Sequence, residues 1–98
     1  MNIINEVTAD KKFWLADGRY ISSIKELHEV LKVVNNDIFS YHVNETKNDF
    51  YNWVKDVFKE DSLANELKRV NTQVEEQLVL QRHLNKKMER LIKRLTKK

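Results

Sequence analysis

The residues best suited to chemistry fall in one run, Tyr41-His42-Val43-Asn44-Glu45-Thr46-Lys47-Asn48-Asp49-Phe50-Tyr51-Asn52-Trp53. A histidine and an aspartate this close could act as a general base and the carboxylate that orients it. The same residues also have a structural use. Thr46 and Asp49 read as a capping box, Phe50 and Trp53 as core, and Asn44 as the residue that closes the preceding turn. The structural use accounts for more of the run, so no catalytic residue is assigned. His28 and His83 lack ligand spacing. His28 follows the apolar Leu27 and is expected on a helix surface, and His83 is expected to supplement a basic face. The chain has no cysteine, which removes disulfides, thiolate metal sites and thiol nucleophiles together. One glycine cannot build a phosphate loop, a dinucleotide fingerprint or a nucleophile elbow. No metal or cofactor site is expected, and the chain is not expected to be an enzyme.

Charge is the second source of chemistry. The net charge of +3 hides an asymmetry: residues 1–81 carry 10 Lys/Arg and 14 Asp/Glu, whereas residues 82–98 carry 8 Lys/Arg and the single acid Glu89. Within that tail Arg82, Lys86, Arg90, Lys93 and Lys97 recur at helical spacing, with Lys87, Arg94 and Lys98 beside them. A basic stripe of this kind suits the phosphate backbone of a nucleic acid, which is bound by counterion release rather than by base reading. The alternatives are a protein partner and a merely solvated helix face. A membrane surface fits poorly, because the helix lacks aromatic anchors.

These groups need elements to position them. Proline is absent, so a chain with a single glycine is mostly helix by default. Residues 1–11 are polar and expected to fray. Asp17-Gly18 between Phe13-Trp14-Leu15 and Tyr20-Ile21 signals a hairpin. Ser23 and Glu26 form a capping box ahead of Ile24, Leu27, Leu31 and Val34. Asn35-Asn36-Asp37 ends that helix and caps a short turn from Ile38 to His42. A further helix carries Phe50, Trp53, Val54, Val57 and Phe58 inward. Glu60-Asp61-Ser62 then caps a last helix expected to run to the terminus, roughly 50 Å long at ~1.5 Å per residue.

Leu63, Leu67, Val70, Val74, Gln77, Gln81, Leu84, Met88, Leu91 and Leu95 alternate steps of four and three along that helix. This is a heptad seam of about five heptads. It predicts a homodimer or a higher assembly, the alternative being a helix whose first half packs on its own domain. An antiparallel arrangement separates the basic tails, sets Gln77 against Gln81 of the second copy, and brings Glu66 towards Arg94.

The stretch 13–67 resembles a family of small, mainly archaeal domains of unknown function. The resemblance rests on Asp17-Gly18, Ser23-Ile24-Lys25-Glu26-Leu27, Tyr41-His42-Val43-Asn44, Lys47-Asn48-Asp49-Phe50, Trp53-Val54, Val57 and Ser62-Leu63-Ala64. It implies a compact helical module, alone or fused to other domains, and it implies no reaction. It does not account for the basic helix beyond Leu67.

The expected fold is therefore mainly α: a flexible 1–11, a small helical domain with a minor β-hairpin over 12–61, and a long coiled-coil-like basic helix over 62–98. Its core is expected from Trp14, Leu15, Ile21, Leu27, Leu31, Phe39, Phe50, Trp53, Val57 and Phe58. No run is long and apolar enough to span a membrane, and no signal peptide is legible, so a cytoplasmic location is expected. The expected function is a homo-oligomer that binds DNA or RNA backbone through Arg82, Lys86, Lys87, Arg90, Lys93, Arg94 and Lys97. The alternative is a scaffold or adaptor with no nucleic-acid role.

Overall fold

A computed structural model describes residues 7–96. The architecture is the mainly α fold that the sequence predicts. A two-stranded antiparallel hairpin, β1 (Phe13–Trp14) and β2 (Tyr20–Ile21), leads into five helices. These are α1 (Ile24–Leu31), α2 (Asn36–His42), α3 (Asp49–Trp53), α4 (Asp61–Lys68) and α5 (Gln73–Thr96). No described helix is long and apolar enough to cross a membrane.

Local chemistry explains most boundaries. In the hairpin Gly18 N–H donates to Leu15 O (3.0 Å) and Leu15 N–H to Arg19 O (2.7 Å), which closes a short loop. Of the Asp17-Gly18 pair only Gly18 takes a positive φ, 92°, as glycine does at little cost. Ser23 Oγ accepts from Glu26 N–H (3.1 Å) and so caps α1, while Glu26 reaches back to Ser22 N–H (2.6 Å). Asn35 caps α2 by accepting from Ile38 N–H (3.0 Å). Asn48, rather than Thr46, caps α3, accepting from Tyr51 N–H (3.0 Å). Thr46 is held instead by Asn44, which accepts from its hydroxyl at 2.8 Å. The chain continues from α3 through a π-helical turn, Val54–Phe58, and stops at Lys59, whose φ of 59° is left-handed.

The expected single last helix is two. The break falls at 69–72, where Val70, Asn71 and Thr72 are weak helix formers. Thr72 then opens α5 with its side chain: Thr72 Oγ1 accepts from Glu75 N–H (3.2 Å) and donates to Glu75 Oε1 (2.8 Å). The short α4 begins at Asp61 after Glu60, with no side-chain cap. The start of the chain is also tied down from Val7 onwards. Val7 N–H donates to Ser22 O (2.9 Å) and Trp53 Nε1 to Lys11 O (2.8 Å), so residues 7–11 are docked; residues 1–6 of the expected frayed segment lie outside the described residues.

Leu15, Ile21, Leu27, Leu31, Phe39, Phe50 and Trp53 are buried as the periodicity indicates. Val57 and Phe58 are only partly buried against this core. Trp14 is not core: it is 61% exposed and stacks on Tyr20 across the hairpin, with ring centres 5.1 Å apart. In its place the core takes Leu63, Ala64 and Leu67 from α4 and Val79 and Leu80 from α5.

Candidate functional site

His42 and Asp49 meet as their spacing suggests. His42 Nδ1 lies 3.0 Å from Asp49 Oδ2, and His42 Nε2 accepts the Ala16 N–H at 3.1 Å. An amide can only donate, so Nε2 offers its lone pair and the ring proton sits on Nδ1, directed at Asp49. Both nitrogens are committed. The ring is buried, with the rings of Phe13, Tyr41 and Phe50 centred 5.0 to 5.4 Å from it. Lys47 Nζ completes the group 3.0 Å from Asp49 Oδ2, and it lies 4.3 Å from the centre of the Tyr41 ring. The arrangement pins the hairpin loop to the start of α3.

Beside this staple the same segment forms one wall of an open cleft of about 440 Å³. Asn44, Lys47, Asn48, Tyr51 and Asn52 line it together with Lys68 and Asn71. Asn48 links it to the interior. Its Nδ2 donates to Leu67 O and to Glu76 Oε2, each at 3.1 Å.

Glu76, which composition places among the solvated acids, is fully buried. Its Oε1 has no hydrogen-bond partner among the described residues. Burial pushes its carboxyl up to about 8 against the single opposing bond from Asn48. The two histidines read as surface groups are also turned inward. His28 is buried, and His83 is half-buried with an Nε2 that has no partner among the described residues. Desolvation depresses both pKa values. No cluster among the described residues has the composition of a metal site.

The basic face is only partly open. Lys87 Nζ is 2.7 Å from Glu60 Oε2 and Arg82 is 3.5 Å from Glu66, so two of the expected phosphate contacts already have acids of their own chain. Glu66 is thereby engaged by Arg82 rather than free for Arg94. Lys86, Arg90 and Lys93 are exposed on α5 and make no ion pair among the described residues. Arg94 is exposed beside them, and Lys97 lies outside the described residues.

The expected seam does not survive as drawn. Leu63 and Leu67 are fully buried in the chain's own core, Val70 packs partly against it, and the break at 69–72 separates them from α5. Along α5 the row turned to the core runs through Gln73, Glu76, Leu80, His83, Leu84, Lys87 and Leu91. Gln77, Leu84 and Leu91 are thus half-buried, while Val74, Gln81, Met88 and Leu95 are exposed. Gln73, which polarity alone would leave in solvent, caps the end of α1: its Nε2 donates to Leu31 O (2.7 Å) and Val34 O (2.9 Å).

Fold and site together define a small helical domain with a polar cleft and a partly docked basic helix. The chain belongs to a family of unknown function, DUF5752, whose model matches residues 7–93. That match extends past the 13–67 of the sequence resemblance and takes in nearly all of α5, so the basic helix is part of the family's module. No curated protein and no solved structure matches the chain.

Proposed function

We propose that this protein is a non-catalytic module that binds the phosphate backbone of a nucleic acid with the basic end of α5. One observation carries the reading. Over 82–96 six Lys/Arg stand against the single acid Glu89, and Lys86, Arg90 and Lys93 are exposed and make no ion pair among the described residues. Their steps of four and three align them on one helix face, and phosphate contacts of this kind are sequence-tolerant. The test is fluorescence anisotropy of labelled duplex DNA, single-stranded DNA and RNA across a salt series. The expected log–log slope corresponds to roughly three to six phosphates. Arg90→Glu with Lys93→Glu should shallow that slope by about two and weaken binding at low salt. Absence of binding at ~50 mM salt would overturn the reading.

A second reading, an assembly module with no nucleic-acid role, is favoured by the row of exposed apolar side chains on another face of the same helix.

A further inference from the structure

α5 is amphipathic twice over. Its buried row holds it to the domain, and Glu76 and His83 lie on the side of the helix that faces the core. On a neighbouring side Val74, Leu78, Met88, Ile92 and Leu95 stand exposed, between 41% and 77%. With Gln81 and Asn85 between them they advance by steps of four and three without interruption, so they form one continuous ridge that winds gently round the helix, about 20° per heptad. At ~1.5 Å per residue it is about 33 Å long, or about three heptads. Single exposed apolar side chains need no explanation; a continuous line of them does.

We propose that this ridge is the docking surface for a second copy of the chain, laid antiparallel along it. The ridge is complementary to its own reverse. With Gln81 set against the second copy's Asn85, Val74 falls against Ile92 and Leu78 against Met88. Apolar side chains meet apolar ones, and the two amides can bond to each other rather than be buried alone. A two-fold axis through the middle of the ridge closes the assembly at a dimer. Each domain packs beside the ridge, along the flank that carries Gln77, Leu84 and Leu91, and leaves all seven ridge positions exposed. Orientation follows from charge. Antiparallel helices hold the two Lys86, Arg90 and Lys93 rows at opposite ends, whereas parallel helices would bring them together. The same register brings Arg82 towards its symmetry mate and Glu75 towards Glu89. These like-charge approaches weaken the dimer at low salt and are screened as salt rises. The pairing uses a different face from the phosphate contacts and stands whether or not nucleic acid is bound.

Sedimentation equilibrium of the full chain from about 5 to about 500 µM tests it. A monomer–dimer equilibrium that tightens with added salt is expected, opposite in sign to phosphate binding. Leu78→Glu with Ile92→Glu should weaken dimerisation at least about 100-fold. Both positions are exposed, so circular dichroism and melting temperature should hold. The chain has no native cysteine, so introduced ones report the orientation. Under mild oxidation an equimolar mixture of Leu78→Cys and Met88→Cys chains should link preferentially to each other, and Leu95→Cys chains should stay unlinked. A monomer throughout the range, or a dimer indifferent to the double glutamate variant, overturns the proposal. Efficient self-linking of Leu95→Cys overturns the antiparallel arrangement.

Discussion

Glu76 shows at the scale of one residue how the interior sets a titration. Its carboxyl has one hydrogen-bond donor, Asn48, and an orphaned oxygen, so the folded protein favours the protonated acid up to about 8. A carboxyl whose pKa is raised on folding gives stability that is complete below its unfolded value and is lost as pH rises through the folded one. His28 and His83, with pKa values depressed by burial, act in the opposite direction below 6.5. Glu76 therefore governs the interval from 6.5 to 8, and denaturation across it should show a loss of about 2 kcal/mol. Glu76→Gln should flatten that slope, because an amide oxygen still accepts from Asn48 and carries no proton to lose. Asn48 is the second residue with more duties than its type suggests. It caps α3 and binds both Leu67 O and Glu76 Oε2. Asn48→Ala should lower stability by about 2–4 kcal/mol in a chemical melt. His42→Ala should cost a similar amount, because Ala16 N–H loses its acceptor and Asp49 keeps only Lys47.

At the scale of the element, α5 is a helix with a docked start and an exposed end. Gln73 grips the end of α1, Val79 and Leu80 enter the core, and Lys87 pairs with Glu60. Beyond Leu91 every described position is exposed. Leu80→Ala should therefore cost about 2–5 kcal/mol and should raise amide exchange along the whole helix, since Leu80 is its one fully buried aliphatic. Leu95→Ala, at an exposed position, should leave the monomer's stability within about 0.5 kcal/mol. The π-helical turn after α3 ends on Lys59 in the left-handed region. A side chain there carries a strain that glycine lacks, so Lys59→Gly should stabilise the protein by up to about 1 kcal/mol in thermal melts.

For the whole molecule the deciding fact is the division of charge and apolar surface on α5. The row facing the domain spends its apolar side chains on the core, the ridge beside it keeps five in solvent, and Lys86, Arg90 and Lys93 lie on a third side. Two associations are thereby separable. Phosphate binding should weaken with salt and fail on charge reversal at Arg90 and Lys93, and pairing should tighten with salt and fail at Leu78 and Ile92. Anisotropy and sedimentation on both sets of variants would show either association lost without the other.

The local elements were legible in the sequence because their causes are local. Gly18 turns the hairpin, Ser23 and Asn35 cap the helices that follow them, and the spacing of Leu27, Leu31, Phe50 and Trp53 marks faces that are in fact buried. The break before α5 was also within reach, since Thr72 and Glu75 carry the capping-box signature that the longer heptad pattern obscured. Which face of α5 meets the core was not. Gln77, Leu84 and Leu91 fit one seam and Leu78, Asn85 and Ile92 another, a single residue apart, and periodicity alone cannot choose between them. Tertiary packing chose, and it did so through polar residues. Gln73 reaches the carbonyls of Leu31 and Val34, and Glu76 reaches Asn48, contacts across 42, 39 and 28 residues of chain that no local pattern encodes. Those bonds rotate α5 so that an acid and a histidine are buried and the second apolar row is left facing water.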